Sequence, residues 1–141
     1  MRKSAFAIVI CLILLTVHLA AQSSATVRVS GMSMRANGQI AKGYQYTGTC
    51  PVNLVFGFAL NSTAPTTVSY SYKRSDGGSS NKPLSVKIPR AGVSESIYVD
   101  WSGFTTKVKQ SSSASGKGWI DLAIESPNRL ESKLGFTINC N

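Results

Sequence analysis

The 141-residue sequence predicts an all-β fold, and three observations carry the prediction. Large apolar side chains recur at every second position through Val52, Leu54, Phe56, Phe58 and Leu60, and Val68, Tyr70 and Tyr72 repeat the pattern. That period suits a half-buried strand and cannot build one face of a helix. Clusters of Gly, Pro, Asn, Asp and Ser break the apolar runs at spacings of about 10 to 15 residues, as expected for short strands joined by turns. Beyond Ala25 no stretch carries helical periodicity.

The first 25 residues have a different character. Met1-Arg2-Lys3 is followed by an apolar run from Ala5 to about Ala21, and then by Gln22-Ser23-Ser24-Ala25. A basic start, an apolar middle and small residues at the end describe a secretory signal peptide, with cleavage expected after Ala25. The run of about 17 residues is near the lower limit for a membrane-spanning helix, so an uncleaved anchor is the competing assignment. Cys11 follows Ile8-Val9-Ile10 and lacks the small residue that a lipoprotein signal needs before its cysteine. The remaining segment, 26–141, is the length of one ordinary domain with a single core.

Cleavage removes Cys11 and His18, leaving Cys50 and Cys140 as the only cysteines and no histidine. In an oxidising compartment two cysteines are most simply a disulfide. Strand parity supports the pairing. Cys50 shares the parity of Val52 and Phe56, while Cys140 shares that of Leu134, Phe136 and Ile138, so both sulfurs are expected to face the core.

Taken in order, Val27 and Val29 alternate with Arg28 and Ser30 in a first edge strand, and Ala36-Asn37-Gly38 follows as a turn. Tyr44 and Tyr46 alternate again ahead of Cys50-Pro51, where proline suits the start of a strand. Asn61-Ser62-Thr63-Ala64-Pro65 separates the two strands of the opening pattern. Asp76-Gly77-Gly78-Ser79-Ser80-Asn81 forms the next break, its glycines supplying positive φ. Leu84, Val86 and Ile88 form one inward face and Ile97, Val99 and Trp101 another, with Tyr98 and Asp100 outward. The segment Ser102 to Gly118 has the weakest strand signal, and the low-complexity run Ser111-Ser112-Ser113-Ala114-Ser115-Gly116 within it is expected to be a loop. Ile120, Leu122 and Ile124 then face inward with Trp119 and Asp121 outward, Ser126-Pro127-Asn128 turns the chain, and Lys133 to Asn139 closes it. Seven or eight short strands so spaced favour an immunoglobulin-like antiparallel β-sandwich, with the disulfide tying the ends of the domain instead of its middle.

The order Tyr46-Thr47-Gly48-Thr49-Cys50-Pro51, Phe56-Gly57, Val68 to Gly77 with Arg74-Ser75-Asp76-Gly77, Trp101, Gly118-Trp119, Ser126-Pro127-Asn128, Phe136 and Cys140 resembles an Ig-like domain family of secreted bacterial proteins. The resemblance covers nearly all of the chain from Tyr44. Tyr72 stands where the family carries tryptophan, and Ser102 to Gly118 departs from its pattern. The resemblance implies a disulfide-closed sandwich without an assigned activity and supplies no catalytic residues.

The residue inventory points away from catalysis. Without histidine, segment 26–141 cannot build a Ser-His-Asp arrangement or an imidazole metal site, and a disulfide withdraws both thiols from nucleophilic or zinc chemistry. Asp100 and Asp121 would resemble the paired carboxylates of a glycosidase only if their strands were neighbours; solvated strand surface is the simpler assignment. Asp76-Gly77-Gly78 lacks the further oxygen ligands of a calcium loop and reads as a turn. Asn61-Ser62-Thr63 spells a glycosylation sequon, but in a bacterial source it is a turn. No enzyme activity, cofactor or metal is expected.

Charge is the one feature with functional content. Of the 15 basic residues, all but Arg2 and Lys3 lie beyond Ala25, so 13 stand against 6 acidic ones, a net charge of +7. Lys73 and Lys87 project outward by parity, with Arg74, Lys82 and Arg90 at the strand ends and turns beside them, while Lys107, Lys109 and Lys117 crowd the weak segment. Lys73, Arg74, Lys82, Lys87 and Arg90 are the candidate contacts for an anionic cell-surface polymer. The competing assignment scatters these charges over all faces of a secreted protein. Specific nucleic-acid binding is not expected, because most aromatics have inward parity; Trp119 and Tyr98 are the exceptions. The expected function is a secreted, non-catalytic binding module. The alternative is an inhibitor or effector that engages a protein partner through loops at one end of the sandwich, near Phe104.

Overall fold

The computed structural model describes residues 24–104 and 114–141. The expected signal segment lies outside the described residues up to Ser23, as do Lys107, Lys109 and Ser111 to Ser113. The chain folds into β1 (Val27–Ala36), β2 (Gln39–Ile40), β3 (Gln45–Gly48), β4 (Val52–Ser62), β5 (Thr66–Arg74), β6 (Leu84–Ile88), β7 (Ser94–Phe104), β8 (Ala114–Ser126) and β9 (Leu130–Cys140), with one 3-10 turn at Lys42–Tyr44. Two sheets, ordered β2-β1-β4-β7 and β3-β9-β8-β5-β6, face each other as a sandwich. All pairings are antiparallel except that of β3 with β9.

The alternating positions account for the core. Val52, Leu54, Phe56, Phe58 and Leu60 are all buried on β4, as are Ile97, Val99 and Trp101 on β7, Ile120, Leu122 and Ile124 on β8, and Leu134, Phe136 and Ile138 on β9. At one end Phe56, Trp101, Phe104 and Phe136 pack ring against ring, with centroids 5.1 to 6.4 Å apart in the pairs that touch. Such tilted and edge-on contacts add to the burial of the rings themselves. Cys50 and Cys140 are joined, as parity predicts, with their Cα atoms 5.5 Å apart.

The structure corrects four expectations. Among the described residues nine strands replace seven or eight, because the Asn37-Gly38 turn, with φ of 47° and 83°, folds two more residues back as β2. The first strand extends from Val27 through Ala36, its parity reset by a bulge between Val29 and Gly31 that breaks the simple alternation. The weak segment Ser102 to Gly118 contributes strand at both ends, since β7 continues to Phe104 and Ala114 to Gly118 pairs with Cys140 to Phe136, so Ala114 to Gly116 of the expected loop are strand. Small residues serve there because Phe136 fills the space a Gly118 side chain would need. Finally, β4 and β5 lie in opposite sheets, so the segment from Thr63 to Pro65 is an arch across the core instead of a hairpin turn.

Between β1 and β9 one flank of the sandwich has no continuous strand to close it, and side chains perform that service. The Asn128 amide bonds both polar groups of Val27, accepting from its N–H at 2.7 Å and donating to its carbonyl at 3.1 Å. Tyr44 donates its hydroxyl to the Met32 carbonyl further along. Edge groups bonded in this way are no longer a template for another chain. Asn128→Ala is expected to cost about 1 to 3 kcal/mol, the penalty for part-buried backbone groups left unpaired. Asn128→Asp, which keeps the acceptor and loses the donor, should fall between it and the parent in urea unfolding. Equal midpoints for all three proteins would refute this closing role.

Candidate anion-binding face

Strand register decides which of the basic residues meet. On the outer face of the five-stranded sheet, Lys73 of β5 stands opposite Asp121 of β8, and Asp121 stands opposite Lys133 of β9. Two positions along β8 from Asp121 is Trp119, and two further is Lys117, opposite Thr137. Lys73, Lys117 and Lys133 are exposed, and Trp119 is half-buried. Lys73 and Lys133 are two strand spacings apart, roughly 10 Å.

The geometry at Trp119 is specific. Lys133 Nζ lies 4.2 Å from the centroid of the indole ring. A cation over the face of tryptophan is attracted by the ring quadrupole. Lys133 therefore turns toward the ring although Asp121 faces it across the strands. Asp121 Oδ1 is left buried with no hydrogen-bond partner among the described residues. A buried acceptor without a donor costs free energy. Across the strands from Trp119 is Gly135, and an added Cβ there would approach only the Gly118 carbonyl oxygen, at 3.9 Å. Among the described residues the face beside the indole is thus open.

The same face is polarised along the strands. Glu131, opposite Ala123, and Glu125, beside the β5–β8 bulge, occupy the end away from Lys117 and Trp119. The other outer face is different again. Tyr98, 64% exposed, stands opposite Gly57, where Tyr98, Ser33, Ser96, Ala59 and Gly31 border a shallow groove of about 210 Å³ without a charged side chain.

The five expected contacts do not form one cluster. Lys87 pairs in register with Thr67, six residues along β5 from Lys73, a separation of roughly 20 Å. Lys82 and Arg90, both exposed, precede and follow β6 at its two ends. Arg74 is held inside the fold. Its Nε and Nη2 donate to the two carboxylate oxygens of Asp76 at 3.1 and 3.0 Å, Nη1 donates to the Asp100 carbonyl at 3.3 Å, and the guanidinium lies 4.6 Å from the Trp101 ring centroid. Its side chain is only 22% exposed. Asp76 also accepts from the Gly78 N–H, so the Arg74-Ser75-Asp76-Gly77 motif is a clasp that closes the turn.

Asp100 and Asp121 lie in different sheets, which corrects the assignment of their strands as possible neighbours and separates the carboxylates by the thickness of the core. Phe104 is packed on Trp101 and Phe136, and residues 105–113 that follow it lie outside the described residues. What sequence reasoning missed is the participation of Lys133 and its contact with Trp119; the outward parity of both was visible, but their adjacency follows only from the β8–β9 register. Tyr70, buried on the core side of β5, has its hydroxyl held above the usual tyrosine range by burial and then by the neighbouring Tyr72. No protein-family model matches the chain, and no curated protein matches it.

Proposed function

We propose that this chain is an exported, immunoglobulin-like, non-catalytic module that binds anionic polymers or surfaces through the outer face of its five-stranded sheet. The observation that carries this reading is the convergence of Lys73, Lys117 and Lys133 around Trp119, with Glu125 and Glu131 at the opposite end of the same face. A net charge of one sign draws any polyanion; a local concentration of it fixes where the polymer lies. The disulfide fits an oxidising compartment, and the two-sheet architecture with its cross-tied ends fits the Ig-like class.

The test is retention of the oxidised domain, residues 26–141, on heparin-like and neutral supports across a salt series. Retention on the anionic support should fall steeply with salt as counterions compete. Reversing Lys73, Lys117 and Lys133 to glutamate together should weaken it by roughly tenfold or more at low salt, whereas reversing Lys82, Lys87 and Arg90 should change it by less than about threefold, because those three lie on and beside β6, away from Trp119. Equal losses in the two triple variants would show that only total charge matters and would overturn the assignment of the face. No retention at low salt would overturn the function.

A further inference from the structure

We infer that the anionic partner is a carboxylated polysaccharide, a chain of uronate-type sugars, bound with one sugar ring against Trp119. The inference rests on the anion-binding reading above and adds the chemistry of the ligand. Three features of the face select it.

A sugar ring presents a layer of C–H groups on one side, which an indole accepts as a flat apolar platform, while its hydroxyls and carboxylate point outward in the ring plane. Trp119 offers that platform on an open part of the sheet, next to the side-chain-free position Gly135. The cations nearest the ring are lysines, compact ammonium charges on long stems, placed on both sides of it along β5, β8 and β9. They can meet carboxylates on successive sugars without imposing the planar, two-point geometry of arginine.

Asp121 discriminates among polyanions. It stands half-buried between Lys73 and Lys133, and the part of its carboxylate that reaches the surface can accept from a hydrogen-bond donor. Sugars carry hydroxyl donors beside every carboxylate. An inorganic polyphosphate chain at neutral pH presents acceptors along its length and no hydroxyl to donate to the aspartate. A ring arriving at Trp119 also displaces the Lys133 ammonium from the indole, freeing it for the ligand carboxylate or for Asp121 across the strands. Nucleic acid is further disfavoured because a single outward aromatic cannot support the run of stacked bases that single-strand binding uses.

The experiment is affinity electrophoresis of the oxidised domain in native gels containing polygalacturonic acid or inorganic polyphosphate at matched charge, or the methyl ester of polygalacturonic acid at the same sugar concentration. The domain should be retarded by polygalacturonic acid, and less by the ester, which keeps the sugar and loses the charge. Trp119→Ala should weaken the retardation in polygalacturonic acid about tenfold, the scale of one lost stacking contact, and leave that in polyphosphate nearly unchanged. Asp121→Ala should shift the two polymers in opposite directions, weakening polygalacturonic acid and strengthening polyphosphate. That sign reversal cannot arise from partial unfolding, which weakens both. Polyphosphate bound as tightly as polygalacturonic acid, with neither variant changing the ratio, would overturn the sugar inference and leave the anion-binding reading standing. Failure to bind either polymer would overturn both.

Discussion

Replacing Cys50 and Cys140 together with alanine should destabilise the domain by about 4 kcal/mol, seen as a lower midpoint in urea. The two cysteines are 90 residues apart, so the cross-link removes much of the freedom of the unfolded chain. The loop-entropy relation gives about that magnitude for such a loop. In a domain of this size, stable by about 5 to 15 kcal/mol, the change is a large fraction of the whole. The loss should also be local. Cys140 ends β9 and pairs in register with Gly48, the last residue of β3. β3 is held to its sheet by a four-residue parallel ladder. Amide exchange at Gln45 to Gly48 should therefore accelerate more than at Phe56 or Phe58, which are fully buried in the core. Both residues must be changed together, because either single variant leaves a free thiol that cross-links chains. A double variant within 1 kcal/mol of the parent, with β3 equally protected, would mean that the ladder and core hold this end unaided.

Alternation in Val52 to Leu60, in Ile97 to Trp101 and in Leu134 to Cys140 is a local property, and it transferred to the structure position by position. Parity even placed both sulfurs, because a strand gives each side chain one of only two directions. What a strand pairs with is not local. Nothing within β4 or β5 says that they lie in opposite sheets, so the arch at Thr63 to Pro65 read as an ordinary turn. The start of β8 escaped for another reason. Ala114, Ser115 and Gly116 carry no apolar signal, and they form strand because β9 offers backbone partners from Cys140 to Ile138. The candidate face shows the same division. That Lys73, Trp119, Asp121 and Lys133 point outward was legible, whereas their meeting depends on the register of three strands and was not. Lys87, by contrast, shares their outward parity and lies well away from them.

Arg74 was legible in a way that charge alone concealed. It shares the parity of Val68, Tyr70 and Tyr72, so its side chain leaves the strand on the core side and caps the aromatic cluster at Trp101. Arg74→Ala should therefore cost about 2 to 3 kcal/mol in unfolding experiments, the combined scale of a partly desolvated cation–π contact and a bidentate charge-assisted pair. Arg74→Lys should recover less than half of that, because an ammonium cannot engage both oxygens of Asp76 while lying flat on the indole. Retention on a polyanion should change by less than about twofold in either variant, in contrast to Lys73, whose charge is exposed. Gly78 supplies the decisive control. A Cβ at this position would run into the guanidinium, which Asp76 holds in place, so Gly78→Ala should be destabilising in the parent protein. In the Arg74→Ala background the space is empty, and the same substitution should cost little. Such non-additivity is expected only of residues in contact. Additive costs, or a loss of polyanion retention on removing Arg74 as large as that on removing Lys73, would return Arg74 to the binding surface and undo its assignment as the clasp of this turn.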